Sequence, residues 1–208
     1  MASADYATSD DRLARTAVNL LVIRHAIAER REAFSRTGED DSQRPVTASG
    51  RKRMEQCVKG LRRLVPEIHS LATSPLTRAV QTADIVAAVY GTVVPVQLEH
   101  LAPGGERRAV LSWIQMQPDG STVAVVGHEP DLGAMVSWLL SSAGRQFVQL
   151  KKGGACLLTW GPHVTAGDAD LVWLLTSGQL RRIGKRKKNR KRKASNASQS
   201  GVDSDEQE

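Results

Sequence analysis

Three strand-like segments of this chain end in residues suited to handling a phosphoryl group. The apolar run Leu20-Leu21-Val22-Ile23 stops at Arg24-His25. The segment Ala72-Thr73-Ser74-Pro75-Leu76-Thr77 leads into Arg78. The run Val123-Ala124-Val125-Val126 stops at Gly127-His128. A neutral imidazole is a competent nucleophile near neutral pH, because its ordinary pKa of about 6.5 leaves a lone pair free. A guanidinium fork matches the oxygens of a phosphate in pairs. Each residue alone is more simply read as structural or as a solvated charge. The three ends together point to one anion held by two histidines and two arginines.

Such convergence requires the three segments to be neighbouring parallel strands. The rest of the pattern supplies that frame. Strand-like runs cover Asn19–Arg24, Ser70–Thr73, Val93–Gln97, Thr122–Val126, Ala155–Trp160 and Asp170–Thr176. Helical periodicity covers about Thr47–Val65, Pro75–Tyr90, Glu106–Gln117 and Pro130–Ser142. In the first of these, Met54, Cys57, Val58, Leu61, Leu64 and Val65 fall on one face. In the second, Val80, Ala83, Ala87 and Tyr90 do so, with Ser74 expected as cap and Pro75 in the first turn. Strand-then-helix alternation predicts a three-layer α/β/α sandwich around a mostly parallel sheet of about six strands. Ligands of such sheets bind at the carboxyl ends of the strands.

Composition bounds the rest. The chain has 208 residues and a net charge of +7. Residues 1–17 carry net −1, residues 18–180 net +2 and residues 181–208 net +6, so the basicity belongs mainly to the C-terminal end. The expected organisation is a mobile N-terminal arm over 1–17, one domain over 18–184, and a disordered, basic-then-acidic tail over 185–208. The run from Lys185 to Lys193 could contact a polyanion or act as a nuclear localisation signal, but it lacks interleaved aromatic residues for base stacking. No run is long enough to span a membrane and no secretory signal is read, which favours a cytoplasmic protein. Cys57 and Cys156 lack metal spacing and read as reduced core residues.

With Arg24-His25, Ser74-Pro75-x-x-Arg78-Ala79-x-Gln81-Thr82 and Gly127-His128 in place, the chain resembles the histidine phosphatase superfamily, which also contains the phosphoglycerate mutases. Within it, the chain is similar to the small SixA-type phosphohistidine phosphatases. Arg44-Pro45-Val46-Thr47-x-x-Gly50, Leu101-x-Pro103-x-Gly105, Gly127-His128-x-Pro130-x-Leu132-Gly133, Lys152-Gly153-Gly154-Ala155 and Trp173-x-Leu175-Thr176 carry that likeness, over about residues 19–183. The glycine usual after the family's first histidine is Ala26 here. The resemblance implies a phosphoglycerate mutase-like fold with His25 as nucleophile, passing through a phosphohistidine intermediate. It also implies a phosphate pocket of Arg24, Arg78 and His128, with a further phosphate contact from Arg44.

No cofactor or metal is expected. Glu129 and Asp131, the only nearby acids, are expected on the surface or at a helix start. A phosphate ester would need a general acid for its leaving group. Glu99 and Glu106 are the candidates, and neither sits in the longer acidic motif of the larger family branches. An imidazole leaving group tolerates a weak acid, which favours protein phosphohistidine as substrate. A small-molecule phosphomonoester is the alternative, and a polyanion-binding module is the reading of a different class. The insertions are too short for a lid. The polar loop Ala28–Asp41, with Arg30, Arg31 and Arg36, is expected to frame an open entrance.

Overall fold

A computed structural model describes residues 17–185. Apart from Ala17 and Lys185, the expected arm and tail lie outside the described residues, and so does the basic run beyond Lys185.

Six strands form one sheet: β1 (Asn19–Arg24), β2 (Ser70–Thr73), β3 (Pro95–Gln97), β4 (Thr122–Gly127), β5 (Ala155–Thr159) and β6 (Asp170–Leu175). Their order is β3-β2-β4-β1-β5-β6. The pairs β3–β2, β2–β4 and β4–β1 are parallel, while β1–β5 and β5–β6 are antiparallel. The strands sit where the sequence pattern puts them, because β1 and β4 are continuous apolar runs buried on both faces.

The two faces take alternate residues of each central strand. Leu20 and Val22 of β1 join Val123 and Val125 of β4 in one core, and Leu21 and Ile23 join Ala124 and Val126 in the other. The helices are α1 (Arg31–Phe34), α2 (Ala48–Leu64), α3 (Thr77–Tyr90), α4 (Arg107–Gln115), α5 (Asp131–Ser141) and α6 (Ser177–Lys185). The first core is closed by α4 and α5, through Val110, Ile114, Leu132, Val136 and Leu139. The second is closed by α2, α3 and α6, through Met54, Val58, Leu61, Ala83, Val86 and Leu180. The result is the expected α/β/α sandwich. Cys156 lies in the first core and Cys57 in the second, both as free thiols, so the sheet separates them.

Two elements depart from the expectation. Helix α6 was not anticipated, since Ser177–Lys185 is short and mostly polar. It forms because Leu180 docks on α2 beside Gly60, where a side chain at position 60 would collide with the Leu180 carbonyl. Helix α3 begins at Thr77 rather than Pro75, and no side chain caps it. The Ser74 hydroxyl instead faces His128, as described below.

The order of strands sets the place of the site. After β1 the chain passes to the face of α2, and after β4 to the face of α5. A crevice therefore opens at the carboxyl ends of β1 and β4, the switch point at which α/β sheets bind ligands.

Candidate active site

Backbone register brings the three strand ends together. Arg24 pairs in register with Gly127, and Thr73 with Val126. The His25 amide donates to the Gly127 carbonyl (3.0 Å) and the Ser74 amide to the Val126 carbonyl (2.9 Å). His25 and His128 consequently face each other with ring centroids 5.0 Å apart. His25, Arg44, Arg78 and His128 are all at least nine-tenths buried.

His25 is oriented by its own neighbour. Its Nδ1 lies 2.7 Å from the Ala26 carbonyl oxygen. A carbonyl can only accept, so Nδ1 carries the proton and Nε2 keeps a free lone pair. Burial pushes the His25 pKa down to about 3; the Ala26 carbonyl opposes this, while His128, Arg78 and Arg24 add to it. The ring is thus neutral across the physiological range. The Ala26 amide donates to the Thr82 hydroxyl oxygen (3.0 Å).

The second histidine is held differently. His128 Nε2 lies 2.8 Å from the Ser74 hydroxyl, which also accepts from the Leu76 amide at 3.3 Å. Burial, and then Arg78, Arg24 and Arg44, lower its pKa to about 4.

The arginines are fastened at one end and open at the other. Arg24 Nη1 donates to the Leu150 carbonyl (2.7 Å) and Arg78 Nη1 to the Asp41 carbonyl (2.9 Å). Arg44 donates through Nη1 to the Glu29 carbonyl (2.8 Å) and through Nε to the Asp41 carboxylate (2.7 Å). Four buried side-chain polar atoms lack a partner among the described residues, and three of them are Arg24 Nε, Arg78 Nε and His128 Nδ1. Buried polar groups are normally paired. These three belong to residues of this one crevice.

Sequence reasoning missed Asp41 as a site residue. Its carboxylate reaches Arg44 (2.7 Å), Arg78 (3.4 Å) and Arg31 (3.4 Å). The Arg44 hydrogen bond holds its pKa below the ordinary carboxylate range. The signal was its place three residues before Arg44. Arg31 of the polar loop does reach this network, as an exposed pair to Asp41.

Glu129 stands just before α5, one of the two places expected for it. It is half-buried rather than on the surface, and accepts from the Leu150 amide (2.7 Å) and the Gln146 amide group (3.2 Å). Burial raises its pKa, while the Leu150 bond and Arg24 oppose that. Glu129 thereby fixes the segment whose Leu150 carbonyl holds Arg24. Asp131 is in the first turn of α5, as expected. Glu99 and Glu106 are both exposed, and neither makes a hydrogen bond or ion pair with the crevice residues. A cavity of about 390 Å³ lined by Asn19, Val65, His69 and Thr122 lies at the opposite, amino-terminal edge of β1 and β4, away from these cations.

Comparisons with known proteins agree with this geometry. Residues 20–102 match the model of the histidine phosphatase superfamily (branch 1). An uncharacterized protein of Picosynechococcus sp. (strain PCC 7002) is 34% identical over 164 residues, covering 77% of this chain and 96% of its own. Among solved structures, the protein histidine phosphatase SixA complexed with tungstate superposes with a TM-score of 0.66 at 23% identity, covering 78% of this chain and 99% of that one. The putative phosphohistidine phosphatase SixA from Agrobacterium tumefaciens gives 0.61 at 19% identity, covering 76% and 97%. Phosphoglycerate mutase from Bacillus anthracis gives 0.59 at 13% identity, covering 84% and 100%. Motifs, fold and family model converge: the chain belongs to the histidine phosphatase superfamily, with the fold shared by its SixA-type members.

Proposed function

We propose that the protein is a metal-independent phosphatase that dephosphorylates protein phosphohistidine through a histidine nucleophile. One observation carries the reading: His25 donates through Nδ1 to the Ala26 carbonyl, which frees Nε2 next to a crevice with unpaired buried donors.

In the first step, the Nε2 lone pair of His25 attacks the phosphorus of the substrate. A new N–P bond forms as the substrate's own N–P bond breaks. Arg24, Arg78, Arg44 and His128 hold the phosphoryl oxygens, so catalysis rests on position and positive charge. The imidazole leaving group takes up a proton readily, and exposed Glu99 and Glu106 need not supply it. In the second step, water attacks the phosphorus and releases inorganic phosphate and neutral His25. The crevice is lined by cations, which disfavour a metal ion, and no three metal-ligating side chains cluster among the described residues.

The test is phosphate release from a phosphohistidine substrate in EDTA. Activity is expected, with His25→Ala lowering kcat by at least about 10³-fold. No release, or release that requires added metal, overturns the reading. Faster turnover of p-nitrophenyl phosphate than of phosphohistidine, lost in Glu99→Gln or Glu106→Gln, would favour a small-molecule phosphomonoesterase instead.

A further inference from the structure

One charged residue beside the crevice has no partner and no part in the mechanism above. Lys152 is exposed and makes no ion pair among the described residues. It sits in a turn bolted to the strand end that carries the nucleophile. The Gly153 amide donates to the carbonyls of both Arg24 (3.2 Å) and His25 (3.1 Å), with Gly153 at φ +67°. The Arg24 amide donates to the Gly154 carbonyl (3.1 Å), and the Arg24 side chain holds the Leu150 carbonyl. Lys152 therefore has a fixed backbone position against Arg24-His25. Burial, and then the charges of Arg24, Arg44 and Arg78, lower its pKa.

Arg31 approaches the same arginines from α1 through Asp41. Counting charges, Arg24, Arg31, Arg44, Arg78 and Lys152 face the carboxylates of Asp41 and Glu129. A phosphoryl dianion leaves one positive charge of this set unmatched; Arg31 is paired with Asp41, whereas Lys152 makes no ion pair among the described residues. Both outer cations, Arg31 and Lys152, are long, exposed side chains, suited to an extended chain rather than to an enclosed metabolite.

We infer that Lys152 and Arg31 form an outer rim that binds a second anion of the substrate, an aspartate or glutamate close to the phosphorylated histidine. The inference rests on the phosphohistidine reading and names the sequence context that the enzyme prefers. Each pair is exposed, so each is worth about 1 kcal/mol or less, and together they give about tenfold selectivity.

Two measurements test it. The first is kcat/KM on phosphohistidine peptides flanked by glutamates or by lysines. The second is binding of the same two peptides carrying a stable phosphohistidine analogue, read by fluorescence anisotropy. The wild-type protein is expected to favour the acidic peptide about tenfold in both, less so at high salt. In Lys152→Met the preference should shrink, in Lys152→Arg it should return, and Arg31→Met should shrink it independently. Equal use of the two peptides by wild-type protein, or a preference untouched in Lys152→Met and Arg31→Met, overturns the rim. Hydrolysis of phosphohistidine without flank preference leaves the proposed function standing and removes the rim alone. Absence of hydrolysis with a persisting binding preference does the reverse.

Discussion

At the residue scale, the site works by opposing fastenings. Each side chain of the candidate site is tied by one or two polar atoms, which lowers the cost of ordering it for a ligand. Ser74 shows how small such a fastening is. Ser74→Ala removes the 2.8 Å partner of His128 Nε2. A hydrogen bond of this kind is worth about 1 kcal/mol, so kcat/KM should fall by up to about tenfold without loss of fold. Asp41 acts in the other direction. Asp41→Asn keeps an acceptor for Arg44 but deletes the negative charge that Arg44, Arg78 and Arg31 share. Inorganic phosphate should then inhibit up to about fivefold more strongly, as measured by its inhibition constant. Weaker inhibition would mean that Asp41 mainly orients the arginines.

At the element scale, helices meet the sheet through small residues and caps. The Thr47 hydroxyl accepts from the Gly50 amide (2.9 Å) and so starts α2 directly after the Arg44 segment. Farther along α2, Gly60 lets α6 approach until the Leu180 carbonyl touches it. Gly60→Ala should cost about 1–3 kcal/mol in urea unfolding, because the obstacle is backbone and cannot rotate away. Leu180 belongs to the core that also holds Ile23 and Ala26. The loss of stability should therefore come with lower activity, which a remote surface substitution would not cause.

At the scale of the whole molecule, burying two histidines among arginines sets an acid limit on the fold. His25 and His128 titrate at about 3 and about 4 in the folded chain, against about 6.5 when unfolded. Between these values the unfolded chain binds more protons than the folded one, so protons favour unfolding. The stabilisation is complete above about pH 7 and is lost as pH falls from there to about 3, where His25 also titrates in the folded chain. Urea midpoints should therefore drop between pH 7 and pH 5, and drop less in His25→Asn. The same neutrality predicts that the free enzyme's kcat/KM shows no histidine inflection near pH 6.5.

Much of this was legible in the sequence, for a physical reason. Central parallel strands are buried on both faces, so β1 and β4 must be unbroken apolar runs, and the polar residues that stop them must lie at the sheet edge. Arg24-His25 and Gly127-His128 follow from that rule, and Arg78 from the matching end of β2. Arg44 came from resemblance to the family, and the structure puts it in the same cluster. Local pattern failed where a contact far along the chain overrode it. Ser74 reads as a helix cap but meets His128, which lies 54 positions away, and Ser177–Lys185 becomes a helix only against α2. Charged side chains are harder still, because spacing along a loop does not reveal which charges converge. Glu129 read as an acid on the surface or at a helix start and Asp41 only as the end of a polar loop, yet one secures the segment whose carbonyl holds Arg24 and the other joins three arginines. The sequence by itself determined the strands and the polar residues that end them, since these follow from hydrophobic runs and what interrupts them. Only the tertiary structure decided the ionic partners, the tautomer of His25 and the placing of Lys152, since these depend on distances between segments far apart in the chain.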